Sequence, residues 1–228
     1  MLFRSQWIHS RNVERLESNS RVVGDWELHR GGLQRLGAVP GSIGPNQGGP
    51  VWISGTNGEA FLSSPAVLGD SVFVTGFRGN KGRISCFDAK TGNLRWSSAP
   101  RGYQATFSSP VIADARLVCG EGLHATRTGR VVCVDLRPGR VGEIAWTFAT
   151  NSHVECTPVL DAGKVYVGAG DDGIYCLDLA HGGQIWHAKG SAYPDAETSL
   201  VVFEGRVDRK STRLNSSHSQ QSRMPSSA

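Results

Sequence analysis

Glu121 and His124 lie three residues apart, and His153 and Glu155 two apart, so four side chains able to hold a ligand fall at two places in the chain. Two imidazoles and two carboxylates could bind a divalent metal or a polar ligand, although this spacing matches no established metal signature. Solvated loop charges and local turn caps are the plainer reading of the same residues. Asp171 and Asp172 form a third acidic point. Arg78, Lys81 and Arg83 sit around one turn, and Arg127 and Arg130 around its equivalent, where an anion could bind. No aromatic residues interleave with these cations, which argues against nucleic acid. The nucleophile elbow, the phosphate-cradling glycine loop and the paired-histidine zinc helix are all absent, so no catalytic residue is assigned.

The five cysteines, Cys86, Cys119, Cys133, Cys156 and Cys176, contain no CxxC and no adjacent pair. Cys86, Cys133 and Cys176 each stand two residues before an Asp of a repeat. Equivalent positions on neighbouring units are too far apart for a disulfide, so all five are expected to be buried small apolar side chains. An odd number of unpaired thiols sits awkwardly with export.

A repeat of about 45 residues positions all of these groups. Each copy reads as a Ser/Thr-Pro strand, a β-rich strand, a strand ending in Asp and a strand carrying Trp. The copies begin at FLSSPAVLGD, FSSPVIADA and VECTPVLDAG; Pro65, Pro110 and Pro158 are separated by 45 and 48 residues. Trp52, Trp96, Trp146 and Trp186 follow at 44, 50 and 40. Asp88, Gly92, Trp96 and Asp178, Gly182, Trp186 share identical spacings, while Asp135 and Gly139 are followed by three extra residues before Trp146. In this element the Asp accepts turn amides, the Gly takes a positive φ, and the Trp packs between units. Such periods suit four-stranded propeller blades, and the expected class is all-β, an incomplete β-propeller of about three and a half blades. Blades are expected at about 60–100, 105–150 and 153–190, with a partial fourth at 196–207. In a propeller the second-to-third-strand loop and the connection between blades open on the same face, which gathers Glu121, His124, His153 and Glu155.

The element CFDAKTGNLRW, Cys86 to Trp96, resembles the pyrroloquinoline-quinone-type propeller repeat, and the likeness covers about residues 24–207. WD-type and kelch propellers fit less well, because no Trp-Asp pair ends a strand and no Gly-Gly doublet recurs. The resemblance implies a bacterial protein of one of three kinds. One is a non-catalytic, protein-binding scaffold like the BamB-type proteins of outer-membrane assembly, with no cofactor. A second is a fragment of a quinoprotein dehydrogenase holding pyrroloquinoline quinone and calcium, whose adjacent Cys pair has no counterpart here. The third is a sensor or interaction domain of a larger chain. Residues 25–41 resemble the segment that leads into the first blade, which would deliver Val51–Ser54 as an outer strand. The resemblance also implies a periplasmic or outer-membrane-associated location and partners that include the remaining blades of the same chain.

Residues 1–23 carry no export signal and are unassigned, and no window is long and apolar enough to span a membrane. From Asp208 the chain is Ser-rich and basic, and Asp208 to His218 resembles a translated sequencing adapter. Residues 208–228 are therefore read as a non-native, disordered tail. Without them the net charge of +4 falls to +1, which removes the case for an anionic partner.

Overall fold

The computed structural model describes residues 26–27, 49–54, 58–191, 195–203, 205–208 and 224–225, and every regular element among them is a strand. Blade one comprises β1 (Ala66–Leu68), β2 (Ser71–Arg78), β3 (Lys81–Asp88) and β4 (Leu94–Ser98). Blade two comprises β5 (Val111–Ala113), β6 (Arg116–Gly120), β7 (Gly129–Asp135) and β8 (Ile144–Thr150). Blade three comprises β9 (Val159–Asp161), β10 (Lys164–Gly168), β11 (Gly173–Asp178) and β12 (Gln184–Lys189). Each blade is an antiparallel meander in chain order. A fourth sheet begins with β13 (Val201–Phe203) and β14 (Arg206–Asp208). The chain is thus an all-β, partial propeller. The short first strands lie side by side, β1 on β5, β5 on β9 and β9 on β13, so the blades fan about a common axis.

Local sequence explains the hairpins. Asp114 and Ala115 both have positive φ, 49° and 53°, as do Ala162 and Gly163 at 47° and 72°. Two left-handed residues make the type I′ turn, whose twist matches that of the flanking strands. The third strands are apolar on both faces because both are buried. On β7, Val131 and Cys133 pack with Val165, Val167 and Tyr175 of blade three. Val132 and Val134 turn the other way, onto Ile84 and Cys86 of blade one. The core is therefore a stack of layers between blades, each shared by two neighbours.

The repeat element forms the outer joint of each layer. Cys86, Cys133 and Cys176 pair directly with Trp96, Trp146 and Trp186, and a bulge follows the cysteine in all three blades. Asp88 Oδ1 accepts the amides of Lys90 and Thr91, Asp135 Oδ1 that of Arg137, and Asp178 Oδ1 that of His181. Beyond that turn lies the indole of the preceding unit. Trp146 Nε1 donates to Leu179 O at 2.9 Å, and the indole lies against Gly182. Trp52 does the same two blades earlier, donating to Ala89 O at 2.7 Å beside Gly92. Trp186 Nε1 is buried with no acceptor among the described residues.

In blade two, Gly142 and not Gly139 takes the place of Gly92 and Gly182. Its amide donates to Asp135 O, as those of Gly92 and Gly182 donate to Asp88 O and Asp178 O, and it faces Trp96. The three extra residues therefore lie between Asp135 and Gly142, inside the turn, and the Gly-to-Trp spacing of four is common to all three blades. Val51–Ser54 forms no strand; only Trp52 docks, while Val51 and Ile53 are exposed. Of the lead-in segment, Trp26 bridges Val67 and Glu27 O accepts the amide of Ile112, so it crosses two first strands; its remainder and residues 1–23 lie outside the described residues. In the tail, where disorder is expected, Met224–Pro225 (β15) pairs with β14 and covers an otherwise open edge. Residues 209–223 and 226–228 lie outside the described residues.

Candidate functional site

Connections on one face of the fan converge on His153. It follows β8 and is held by close backbone approach: a Cβ on Gly170 would meet the His153 ring at 2.7 Å, and one on Gly122 or Gly129 would come within about 3.1 Å of the His153 Cβ or Cα. Only glycine leaves room for the imidazole at these points. Ser152 Oγ lies 3.3 Å from His153 Nδ1, within hydrogen-bond reach of that ring nitrogen. The preceding residue is fixed as well: Asn151 N donates to Asp172 Oδ2 at 2.7 Å, which also accepts the hydroxyl of Tyr175. Tyr175 stacks on His187 at 3.8 Å, and His187 Nε2 donates to Asp172 O at 2.6 Å.

His153 Nε2 points at Glu197 Oε1, 3.1 Å away. His124 Nδ1 approaches the same oxygen at 2.5 Å, and the two imidazoles lie 5.4 Å apart, tilted by 60°. His124, His153 and Glu197 place one ligand atom each within 4.8 Å of one another. Glu197 is set by a bridge between Gly170 and Ala196, the same Gly170 that faces His153. A cavity of about 470 Å³ opens beside the three groups, lined further by Asp171, Asp195 and Arg127.

Of the four residues the sequence groups together, His124 and His153 meet, and the two glutamates take other tasks. Glu121 is 1% exposed and faces inward. Its carboxylate accepts Arg130 Nε and Nη2 and the amide of Gln104, so it clamps the second-to-third-strand loop of blade two. A buried charge requires such a partner. Glu155 Oε1 accepts the backbone amide of His124 and positions that loop from blade three. Glu197 is the group the sequence reading missed. It stands two residues before Ser199, and Glu155 two before Thr157; Thr157 N donates to Ser199 Oγ as Ser64 N donates to Ser109 Oγ two joints earlier. Glu155 and Glu197 are thus one repeat position, and the match was hidden because the fourth copy lacks the Pro that marks the others. Asp172 is structural, as described, while Asp171 lines the cavity. Arg83 is paired with Glu59 at 3.0 Å.

All five cysteines are free and buried. Burial pushes Cys119 and Cys133 up to about 12 and Cys176 up to about 11. Cys156 is not simply an apolar filler. Its Sγ accepts Gly168 N and donates to Gly168 O, both at 3.2 Å, in the place where Ser63 and Ser108 use hydroxyls on Thr75 and Gly120. Arginine pairing holds the repeat carboxyls of Asp88 and Asp135, beside Arg95 and Arg137, well below the usual carboxylate range.

Four-stranded meanders fanned about an axis and joined through an Asp-turn-Gly-Trp element define a β-propeller repeat protein of the pyrroloquinoline-quinone-like kind. The chain belongs to the family described as outer membrane protein assembly factor BamB, whose profile matches residues 37–122 and again 120–207. It is 29% identical over 160 residues to the outer membrane protein assembly factor BamB of Bordetella pertussis, covering 66% of this chain and 36% of that one. With the protein of the same name from Kangiella koreensis it shares 28% over 155 residues, covering 63% and 38%. The chain therefore spans little more than a third of these relatives' length. The crystal structure of BamB from Moraxella catarrhalis superposes with a TM-score of 0.50 at 18% identity, over 65% of this chain and 42% of that one. A europium-containing methanol dehydrogenase superposes with a TM-score of 0.57 at 15% identity, over 77% and 34%. At such identities the structures share the fold alone.

Proposed function

We propose that this chain is part of a non-catalytic scaffold whose propeller face binds a protein partner in outer-membrane protein assembly, on the periplasmic side. The observation that carries the reading is the family match, which runs through both halves of the described fan. Surface chemistry supports a docking role. The repeat position filled by Glu155 and Glu197 is filled by Leu62 in blade one and Phe107 in blade two, 62% and 42% exposed. Large apolar side chains held at the surface at equivalent points of neighbouring blades suit a protein contact better than they suit solvent. The remaining blades of the ring come from the rest of the same chain.

This reading assigns no cofactor. Quinone chemistry needs calcium ligands and, in the relatives that perform it, an adjacent Cys pair, whereas no two cysteines of this sequence are adjacent. Among the described residues no helix is long and apolar enough to cross a membrane.

The test is site-specific photo-crosslinking in the complete protein, with the reactive residue at Leu62, at Phe107, or at the exposed outer-strand Leu94 as control. Adducts to an outer-membrane assembly component from the first two positions, and none from Leu94, are expected. No adduct from Leu62 or Phe107, or equal adducts from all three, would remove the docking face.

A further inference from the structure

We propose that His124, His153 and Glu197 form a binding site for one divalent transition-metal ion of the zinc class, which clips three successive blades together. This goes beyond the scaffold reading and does not depend on it. Each ligand comes from a different connection. His124 lies between β6 and β7 of blade two, His153 on the segment from β8 into blade three, and Glu197 on the segment from β12 into the fourth blade.

The donor set selects the ion. Two imidazole nitrogens and one carboxylate oxygen suit zinc, cobalt or nickel, whereas calcium and magnesium favour all-oxygen shells. A tetrahedral zinc with bonds of about 2.0–2.1 Å has its ligand atoms about 3.3 Å apart. Glu197 Oε1 already lies 3.1 Å from His153 Nε2 and 2.5 Å from His124 Nδ1, and with all three ligand atoms within 4.8 Å of one another an ion needs the two imidazole nitrogens to close by no more than about 1.5 Å, a movement the exposed His124 can make. A fourth position is left for water from the adjoining cavity, where Asp171 and Asp195 outnumber the one cation, Arg127. The local charge favours a cation.

Support for the ligands matches what metal sites need. His153 is fixed by its glycine collar and is 5% exposed, and Ser152 Oγ can accept the Nδ1 proton when Nε2 holds the ion. Glu155 is a positioning residue: it holds the His124 backbone amide without pointing a ligand atom into the cluster. The His124 side chain is 77% exposed and free to complete the shell as the ion binds.

The experiment titrates the chelator-washed 228-residue chain with cobalt(II), read by visible d–d absorption, and then displaces cobalt with zinc. One equivalent in a low-coordinate, strongly absorbing site is expected. His124→Ala, an exposed position that leaves the core untouched, should weaken binding at least about tenfold, as should Glu197→Gln. His181→Ala, on the far side of blade three, should bind as the unaltered chain does. Zinc should raise the melting midpoint of the unaltered chain but not of His124→Ala, while circular dichroism shows both folded. Absence of a stoichiometric site, or equal affinity in the unaltered chain, His124→Ala and Glu197→Gln, would overturn the proposal and leave the three groups as a hydrogen-bonded network.

Discussion

Three glycines of the repeat turns give a graded test of the interblade joint. Gly139, Gly142 and Gly182 all have positive φ, at 81°, 88° and 75°, so an alanine at any of them meets the same left-handed penalty. That penalty is about 1–2 kcal/mol, offset by about 0.4–1 kcal/mol because alanine also restricts the unfolded chain. The surroundings differ. A Cβ on Gly139 would meet nothing within 4 Å, one on Gly142 would touch the Trp96 indole at 3.4 Å, and one on Gly182 would lie 2.5 Å from the Trp146 indole. The last distance forces the ring aside, an overpacking cost of about 1–3 kcal/mol. It also loosens the bond from Trp146 Nε1 to Leu179 O, worth about 1 kcal/mol. Gly182→Ala should therefore lose about 2–4 kcal/mol more than Gly139→Ala, with Gly142→Ala close to the latter. Urea unfolding followed by far-ultraviolet circular dichroism measures all three, provided the slopes agree. Equal losses at Gly139 and Gly182 would refute both the assignment of Gly142 to the joint and the role of the indole contact.

Two further outcomes follow from the buried polar groups. Arg130→Met strips Glu121 of its guanidinium while the carboxylate stays buried, and should cost about 3 kcal/mol; adding Glu121→Gln should restore part of it, and a single-mutant loss below about 1 kcal/mol in urea would contradict the clamp. The thiols of Cys119, Cys133 and Cys176 stay protonated in the fold up to about 11–12, whereas unfolded cysteine ionises near 8.5. Stability present below about pH 8.5 should thus decline as pH rises from there towards 11, and all five thiols should resist a disulfide reagent at pH 8 until urea unfolds the chain. Rapid labelling of the folded chain would disprove this.

Much of the fold was legible because each blade is a local object. Alternation, the hairpin residues and the Asp and Trp marks sit within about 45 residues and need no distant partner. The joint in blade two was harder: the spacing from Asp135 points to Gly139, and only the hydrogen bond from Gly142 shows that the extra residues swell the turn. Cys156 misled in another way, since a thiol filling a serine position looks apolar in a sequence but donates and accepts in place. The face rule grouped His124 with His153, whose rings lie 5.4 Å apart. It could not rank carboxylates, because whether Glu121 turns inward to Arg130 or outward to the imidazoles depends on packing between loops far apart in the chain. Glu197 needed the register of the fourth copy, which has lost its proline.

The Trp joint also gives the array a direction. Its two sides are different surfaces, an indole from one blade and an Asp-Gly turn from the next, which makes it a heterologous, head-to-tail contact. Contacts of that kind propagate one way until rotation returns the last unit to the first. Here Trp52, Trp96 and Trp146 already occupy the turns of blades one, two and three, so a second copy of these blades has no vacant turn to offer Trp186. Through this joint, Trp186 accepts only a new blade that brings its own turn, so growth by the joint continues the array and does not pair two copies of it.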